Sequence, residues 1–78
     1  MKINEAVVLR IRNLCKEQGI TINKLASRAG MTQSTLSDLM IGRNKSPKIS
    51  TLKKICIGLN ISLSEFFNDP SIEESDVD

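Results

Sequence analysis

Seventy-eight residues, with 11 Lys and Arg against 9 Asp and Glu, make one small domain with no room for a separate catalytic lobe. Histidine, tryptophan and tyrosine are absent and Phe66 and Phe67 are the only aromatics, so the core must be aliphatic. With no carboxylates at catalytic spacing and no phosphate-binding glycine loop, the sequence offers no acid, base or nucleophile constellation. No enzyme, cofactor, metal site or small-molecule ligand is expected. Cys15 and Cys56 fit neither a zinc nor a thioredoxin spacing, and two buried, reduced thiols are predicted. No apolar run approaches the roughly twenty residues of a membrane span. MKINEAVV lacks a signal peptide's long apolar segment and cleavage site, so a cytoplasmic protein without a membrane role is expected.

The net charge of +2 hides an asymmetry. Residues 1–68 hold all eleven cations against Glu5, Glu17, Asp38 and Glu65, a net +7, whereas Asp69, Glu73, Glu74, Asp76 and Asp78 give the last ten residues −5. A basic body suits a polyanion, because neutralising phosphates releases condensed counterions. The chain divides accordingly into a domain over 1–68 and an acidic tail over 69–78, which lacks periodicity and is expected to be disordered.

From the start, Asn4 can cap a helix in which Val7, Val8, Ile11, Leu14 and Cys15 recur at three- and four-residue steps, closed by Gly19. Arg10 and Arg12 fall on its outer side, where an ordinary solvated face is favoured over a DNA backbone contact. Thr21 is a good N-cap for a second helix with Leu25, Ala26 and Ala29 inward, and Gly30 supplies the left-handed residue that ends it. The small side chains of Ala26 and Ala29 allow the next helix to approach closely.

Thr32 then caps a third helix, Gln33 to Ile41, with Leu36 and Leu39 inward and Gln33, Ser34, Thr35, Ser37 and Asp38 outward. Two short helices around a tight glycine turn form the pattern of a DNA-binding helix-turn-helix. A face of short hydroxyls and an amide can enter a major groove without clashing. Glutamine can pair with adenine, Ser and Thr can bond base edges or phosphates, and Asp can accept from cytosine N4. Gln33, Ser34 and Asp38 are therefore the base-contact candidates, with Thr35 a candidate for the backbone. After Gly42, the segment Arg43-Asn44-Lys45-Ser46-Pro47-Lys48 reads as a loop with three cations. Arg43, Asn44, Lys45 and Lys48 are candidates for sugar-phosphate contacts, which fix register without reading sequence.

Ser50 starts a predicted fourth helix with Leu52, Ile55, Cys56 and Leu59 inward, ended by Asn60, and Ile57 is left on its outer face. Ser62-Leu63-Ser64-Glu65 is a capping box for a short last helix, with Ile61 and Phe66 as its hydrophobic staple. Leu63 and Phe67 cannot both be buried by so short an element, so with Ile57 they are candidates for a dimer interface.

With those motifs in place, residues 5–68 resemble the compact five-helix, all-α domain of the Cro and phage-repressor (XRE) helix-turn-helix family. The resemblance rests on LASRAGMTQSTLSDL, on Gly42-Arg43, on Pro47 and TLKKI, and on LNISLSEFF. It implies that Gln33, Ser34 and Asp38 face bases, that Thr32, Arg43, Lys45 and Lys48 lie near phosphates, and that a homodimer binds a near-palindromic operator. Three positions depart from the family pattern. Ile22 stands where many members carry a polar residue that meets a phosphate, Cys15 and Met40 replace an Arg–Glu pair, and Asn60 replaces a glycine. Losing both charges of a buried pair together strands neither.

The leading expectation is a sequence-specific transcriptional regulator, a repressor, acting as a homodimer on double-stranded DNA. The alternative is a protein-binding module of the same fold, such as an antitoxin or a phage antagonist, that buries Ile57, Leu63 and Phe67 against a protein partner.

Overall fold

The computed structural model describes residues 1–77. Among these residues six helices follow one another: α1 (Ile3–Gln18), α2 (Ile22–Ala29), α3 (Gln33–Met40), α4 (Ile49–Leu59), α5 (Leu63–Phe67) and α6 (Pro70–Glu73). The only extended pairing among the described residues is a single parallel bridge between Lys2 and Asp76. An all-α domain is therefore observed, with one helix more than the five expected.

Local chemistry accounts for most of the boundaries. Thr21, Thr32 and Ser62 each accept the backbone N–H three residues on, at 3.0, 3.3 and 2.9 Å. Each satisfies one of the donors that a helix start leaves open. Gly19, Gly30 and Asn60 close α1, α2 and α4 in left-handed geometry, and Asn60 is the only non-glycine residue with positive φ (58°) among the described residues. Two starts differ from expectation. α1 begins before Asn4, because the Glu5 carboxylate accepts the Lys2 backbone N–H at 3.0 Å and makes Lys2 the cap. α4 begins at Ile49, capped by Lys48 immediately after Pro47 rather than by Ser50, and no side chain bonds its first turn.

The buried centre is built from Ile11 and Leu14 of α1, Leu25 of α2, Leu36 and Leu39 of α3, Ile55, Cys56 and Leu59 of α4, and Phe66 of α5. Full burial of a side chain such as Phe66 contributes about 1.5–3 kcal/mol. Val8, expected inside, is only half-buried, and Ala6 takes an inward place instead. The principal helix pairing is α2 on α4. There Gly58 sits so close to α2 that an added Cβ would lie 2.9 Å from Leu25 Cδ1 and 3.1 Å from the Ala29 backbone nitrogen. The close approach at Ala29, expected of the next helix α3, is made instead by α4.

Two side chains of α1 hold distant carbonyls. Arg10 donates from Nε to the Phe66 carbonyl (2.9 Å) and from Nη2 to that of Glu65 (2.8 Å), and Gln18 Nε2 donates to the Leu59 carbonyl (2.7 Å). The solvated face expected around Arg10 is therefore a clamp on the end of α5, where the last carbonyls and the negative end of the helix favour a cation.

The acidic tail departs from the expected disorder. Pro70 opens α6, Ile72 is buried at 7 % exposure, and the Ile3 N–H donates to the Asp76 carbonyl (2.9 Å) while the Asp76 N–H donates to that of Met1 (3.0 Å). One apolar side chain and two main-chain hydrogen bonds tie this segment to α1, an arrangement too short to produce a periodic pattern. Asp78, the last residue of the expected tail, lies outside the described residues.

Candidate nucleic-acid interface

Gly30, at φ +68°, ends α2 and turns the chain so that the Met31 N–H reaches back to the Ala26 carbonyl at 3.0 Å. Thr32 then starts α3. Its hydroxyl accepts the Thr35 N–H, lies 2.7 Å from the Thr35 hydroxyl and 3.4 Å from that of Ser34. Thr32, Gln33, Ser34 and Thr35 are all exposed. The first turn of α3 thus presents three linked hydroxyls and one free amide at the positive end of a helix, an arrangement suited to phosphate oxygens and base edges.

α3 is held from below. Leu36 and Leu39 are buried, and Met31 and Met40 pack part-buried against the same core. Ile22 also packs part-buried against the core, so the position where the resemblance implies a polar group on a phosphate is occupied by a structural side chain here. Cys15 is buried and Met40 half-buried, as an apolar replacement for an ion pair requires. Burial pushes both the Cys15 and Cys56 thiols above their ordinary pKa, with Arg12 and Lys53 respectively pulling the other way.

At the end of α3, Asp38 organises the following loop. Its backbone carbonyl accepts both the Arg43 N–H (2.9 Å) and the Asn44 N–H (3.1 Å), and its carboxylate lies 3.7 Å from Arg43 Nη1. An ion pair this exposed contributes at most about 1 kcal/mol. It nevertheless places Asp38 beside a cation, so the carboxylate proposed for a base and the guanidinium proposed for a phosphate meet each other. Asn44 Oδ1 accepts the Ser46 N–H at 3.1 Å, which shapes the turn and leaves the amide's donor end exposed. Lys45 and Lys48 are exposed on the same loop, and Lys48 leads into the first turn of α4, which no side chain bonds.

The residues singled out for dimerisation are divided. Ile57 is 61 % exposed and Phe67 39 %, with Phe67 set edge-on to Phe66 at 5.1 Å between ring centroids. Leu63 packs partly against the core. Sequence reasoning passed over two exposed aliphatic residues that flank the basic loop, Ile41 at 63 % and Ile49 at 76 % exposure. A lone isoleucine at the edge of a helix carries no periodic signal that separates it from core residues. No helix of the described residues is long and apolar enough to cross a membrane.

Comparison with known proteins agrees with this geometry. A helix-turn-helix family matches residues 11–66. The HTH-type transcriptional regulator PuuR of Escherichia coli K12 is 39% identical over 62 residues, covering 78% of this chain and 32% of PuuR. SinR of Bacillus licheniformis, also an HTH-type transcriptional regulator, is 31% identical over 67 residues, covering 86% of this chain and 60% of SinR. The chain therefore spans about a third of the length of one curated relative and three-fifths of the other. Among solved structures, prophage Lp1 protein 11 superposes with a TM-score of 0.83 at 40% identity over 95% of this chain and 99% of its own. A point mutant of the restriction-modification controller protein C.Esp1396I gives 0.80 at 25% identity over 95% and 94%. With the matched region covering the turn, the exposed α3 face and the buried scaffold beneath it, the chain belongs to the Cro and phage-repressor, or XRE-type, helix-turn-helix family.

Proposed function

We propose that this chain is a sequence-specific DNA-binding transcriptional regulator, a cytoplasmic repressor without catalytic activity. It binds as a homodimer to a near-palindromic operator. The observation that carries the proposal is the exposed first turn of α3, Thr32 to Thr35, set on a buried leucine pair and followed by a loop bearing Arg43, Lys45 and Lys48. In this reading α3 enters the major groove, Gln33 and Ser34 meet base edges, and Thr32, Thr35, Asn44, Lys45 and Lys48 meet the backbone. Asp38 acts first on Arg43, holding its guanidinium over the phosphates, and reads a base only where that pair opens. Names of relatives such as PuuR and SinR support regulation, and the controller-protein neighbour supports the same placement of helices.

Ile57 and Phe67 supply the apolar surface for the second copy, which sets two α3 helices about one helical turn apart. That exposure also favours the second reading, a module whose partner is another protein. Selection of bound sites from random duplexes, followed by binding titrations, separates the two. Gln33→Ala should lose about 1–3 kcal/mol on the selected site and little on random DNA, whereas Lys45→Ala should weaken both and flatten the salt slope by about one. Absence of duplex binding at low salt would overturn the regulator assignment.

A further inference from the structure

An open groove of about 700 Å³ runs between the first half of α1 and the end of α3, continuing to Lys45 of the basic loop. Its apolar lining is Val8 and Leu9 from α1 with Met40 and Ile41 from the end of α3. Ile41 is 63 % exposed and the other three are half-buried, so the groove retains uncovered aliphatic surface. Around that surface stand Lys2, Arg12 and Lys45, all exposed. The single carboxylate present, that of Glu5, accepts the Lys2 N–H at 3.0 Å and is committed to the start of α1. The rim is therefore cationic and the lining aliphatic.

We infer that this groove is a docking site for an acidic amphipathic helix of a partner protein. Such a segment places aliphatic side chains at three- and four-residue spacing on Val8, Leu9, Met40 and Ile41, and its flanking carboxylates meet Arg12, Lys45 and Lys2. A phosphate chain would satisfy the cations but gain nothing from the aliphatic lining, and the concave shape receives side chains better than a convex duplex. α1 already holds an acidic segment in cis outside the groove: the stretch from Pro70 to Asp76 buries Ile72 and pairs its main chain with residues 1 and 3. Because the groove includes Lys45 and runs along the end of α3, a helix seated there engages a residue of the proposed DNA face and displaces the duplex. That consequence rests on the DNA-binding reading; the docking itself does not.

The test uses the full chain labelled for amide NMR and a synthetic helical peptide with leucines at three- and four-residue spacing among glutamates. A control peptide carries serine in place of leucine. Saturable shifts centred on Val8, Leu9, Arg12, Ile41 and Lys45 are expected, with a loss of about tenfold in affinity for Arg12→Glu and again for Lys2→Glu. Both substitutions lie at exposed positions, and their amide spectra report directly that the fold is kept. The acidic peptide should also release a labelled duplex from the wild-type chain. No saturable shift, shifts confined to Ile57 and Phe67, or equal binding of the serine control would overturn the assignment. So would an Arg12→Glu chain that loses duplex affinity yet keeps the peptide, since the groove would then belong to the DNA backbone. If the wild-type chain binds the peptide in the groove but no duplex, the docking site stands and the regulator reading alone fails.

Discussion

Gly58 is the position where the α2–α4 contact can be tested by adding a single carbon. A Cβ there would stand 2.9 Å from Leu25 Cδ1, 3.1 Å from the Ala29 backbone nitrogen and 3.2 Å from Ala29 Cβ. Leu25 has no exposed surface and cannot swing outward, and the Ala29 nitrogen can move only if α2 moves with it. Two terms oppose each other in Gly58→Ala. Replacing a glycine in the last turn of a helix by alanine favours the helix by at most about 1 kcal/mol, whereas overpacking a tight core costs about 1–3 kcal/mol. Because one of the contacts is backbone, the steric term falls in the upper part of its range, and a net loss of about 1–2 kcal/mol is expected. In a domain of this size each kcal/mol lowers Tm by about 4–8 °C. Thermal and urea unfolding followed by circular dichroism measure it. A second substitution tests the cause: in the Gly58→Ala background, Ala29→Gly should cost less than in the wild type, because it removes one of the atoms that the new Cβ meets. A Gly58→Ala protein as stable as the wild type, or more so, would show that α2 and α4 are not held at this spacing.

Further expectations follow from the long-range contacts. Arg10→Met should cost about 1–2 kcal/mol in urea unfolding, because the part-buried Phe66 carbonyl loses its donor while that of Glu65 keeps the Asn68 N–H; a shift no larger than that of Arg12→Met would make the clamp irrelevant. Ile72→Ala should cost about 2 kcal/mol, near the lower end for a buried isoleucine because the site is peripheral; an unchanged midpoint would mean the tail adds nothing. The two thiols give a pH dependence with a definite sign. Burial raises their pKa in the folded state, so the unfolded chain releases those protons first. Their contribution to stability is full below the ordinary thiol range of about 8.5 and declines as pH rises through it. Urea midpoints compared between about pH 7 and about pH 9.5 should fall in the wild type and fall less in a Cys15→Ala, Cys56→Ala double variant.

The parts of this fold that could be read from the sequence are those whose cause is local. Thr21, Thr32 and Ser62 bond N–H groups three residues away, and Gly30 and Asn60 close their helices with their own backbone geometry. Each leaves a signature within a few residues. Arg10 and Gln18 reach carbonyls separated from them by 55, 56 and 41 residues, and a cation on an amphipathic helix looks the same whether it meets water or a distant helix end. Gly58 was invisible for the same reason, since its function is set by Leu25 and Ala29 of another element. Ile72 failed as a signal because one apolar residue in a four-residue helix makes no pattern. At the candidate interface the exposed face of α3 followed from periodicity, but the meeting of Asp38 with Arg43 depended on the path of the loop.

This division bears on how α3 can carry a base code at all. Its contribution to the fully buried core is Leu36 and Leu39, while Gln33, Ser34 and Thr35 are exposed and the hydroxyl bonds of Thr32, Ser34 and Thr35 stay within one turn. Substitutions at exposed positions free of such contacts usually change stability by no more than about 0.5 kcal/mol. Gln33 can therefore vary almost without cost to the fold, whereas Thr32 cannot, because its hydroxyl caps the helix that presents Gln33. In the proposed reading, recognition and stability are carried by adjacent residues of one turn, and the clamps from α1 leave that turn untouched. A change of preferred operator should accordingly be reachable through Gln33 and Ser34 alone, with the scaffold unaltered.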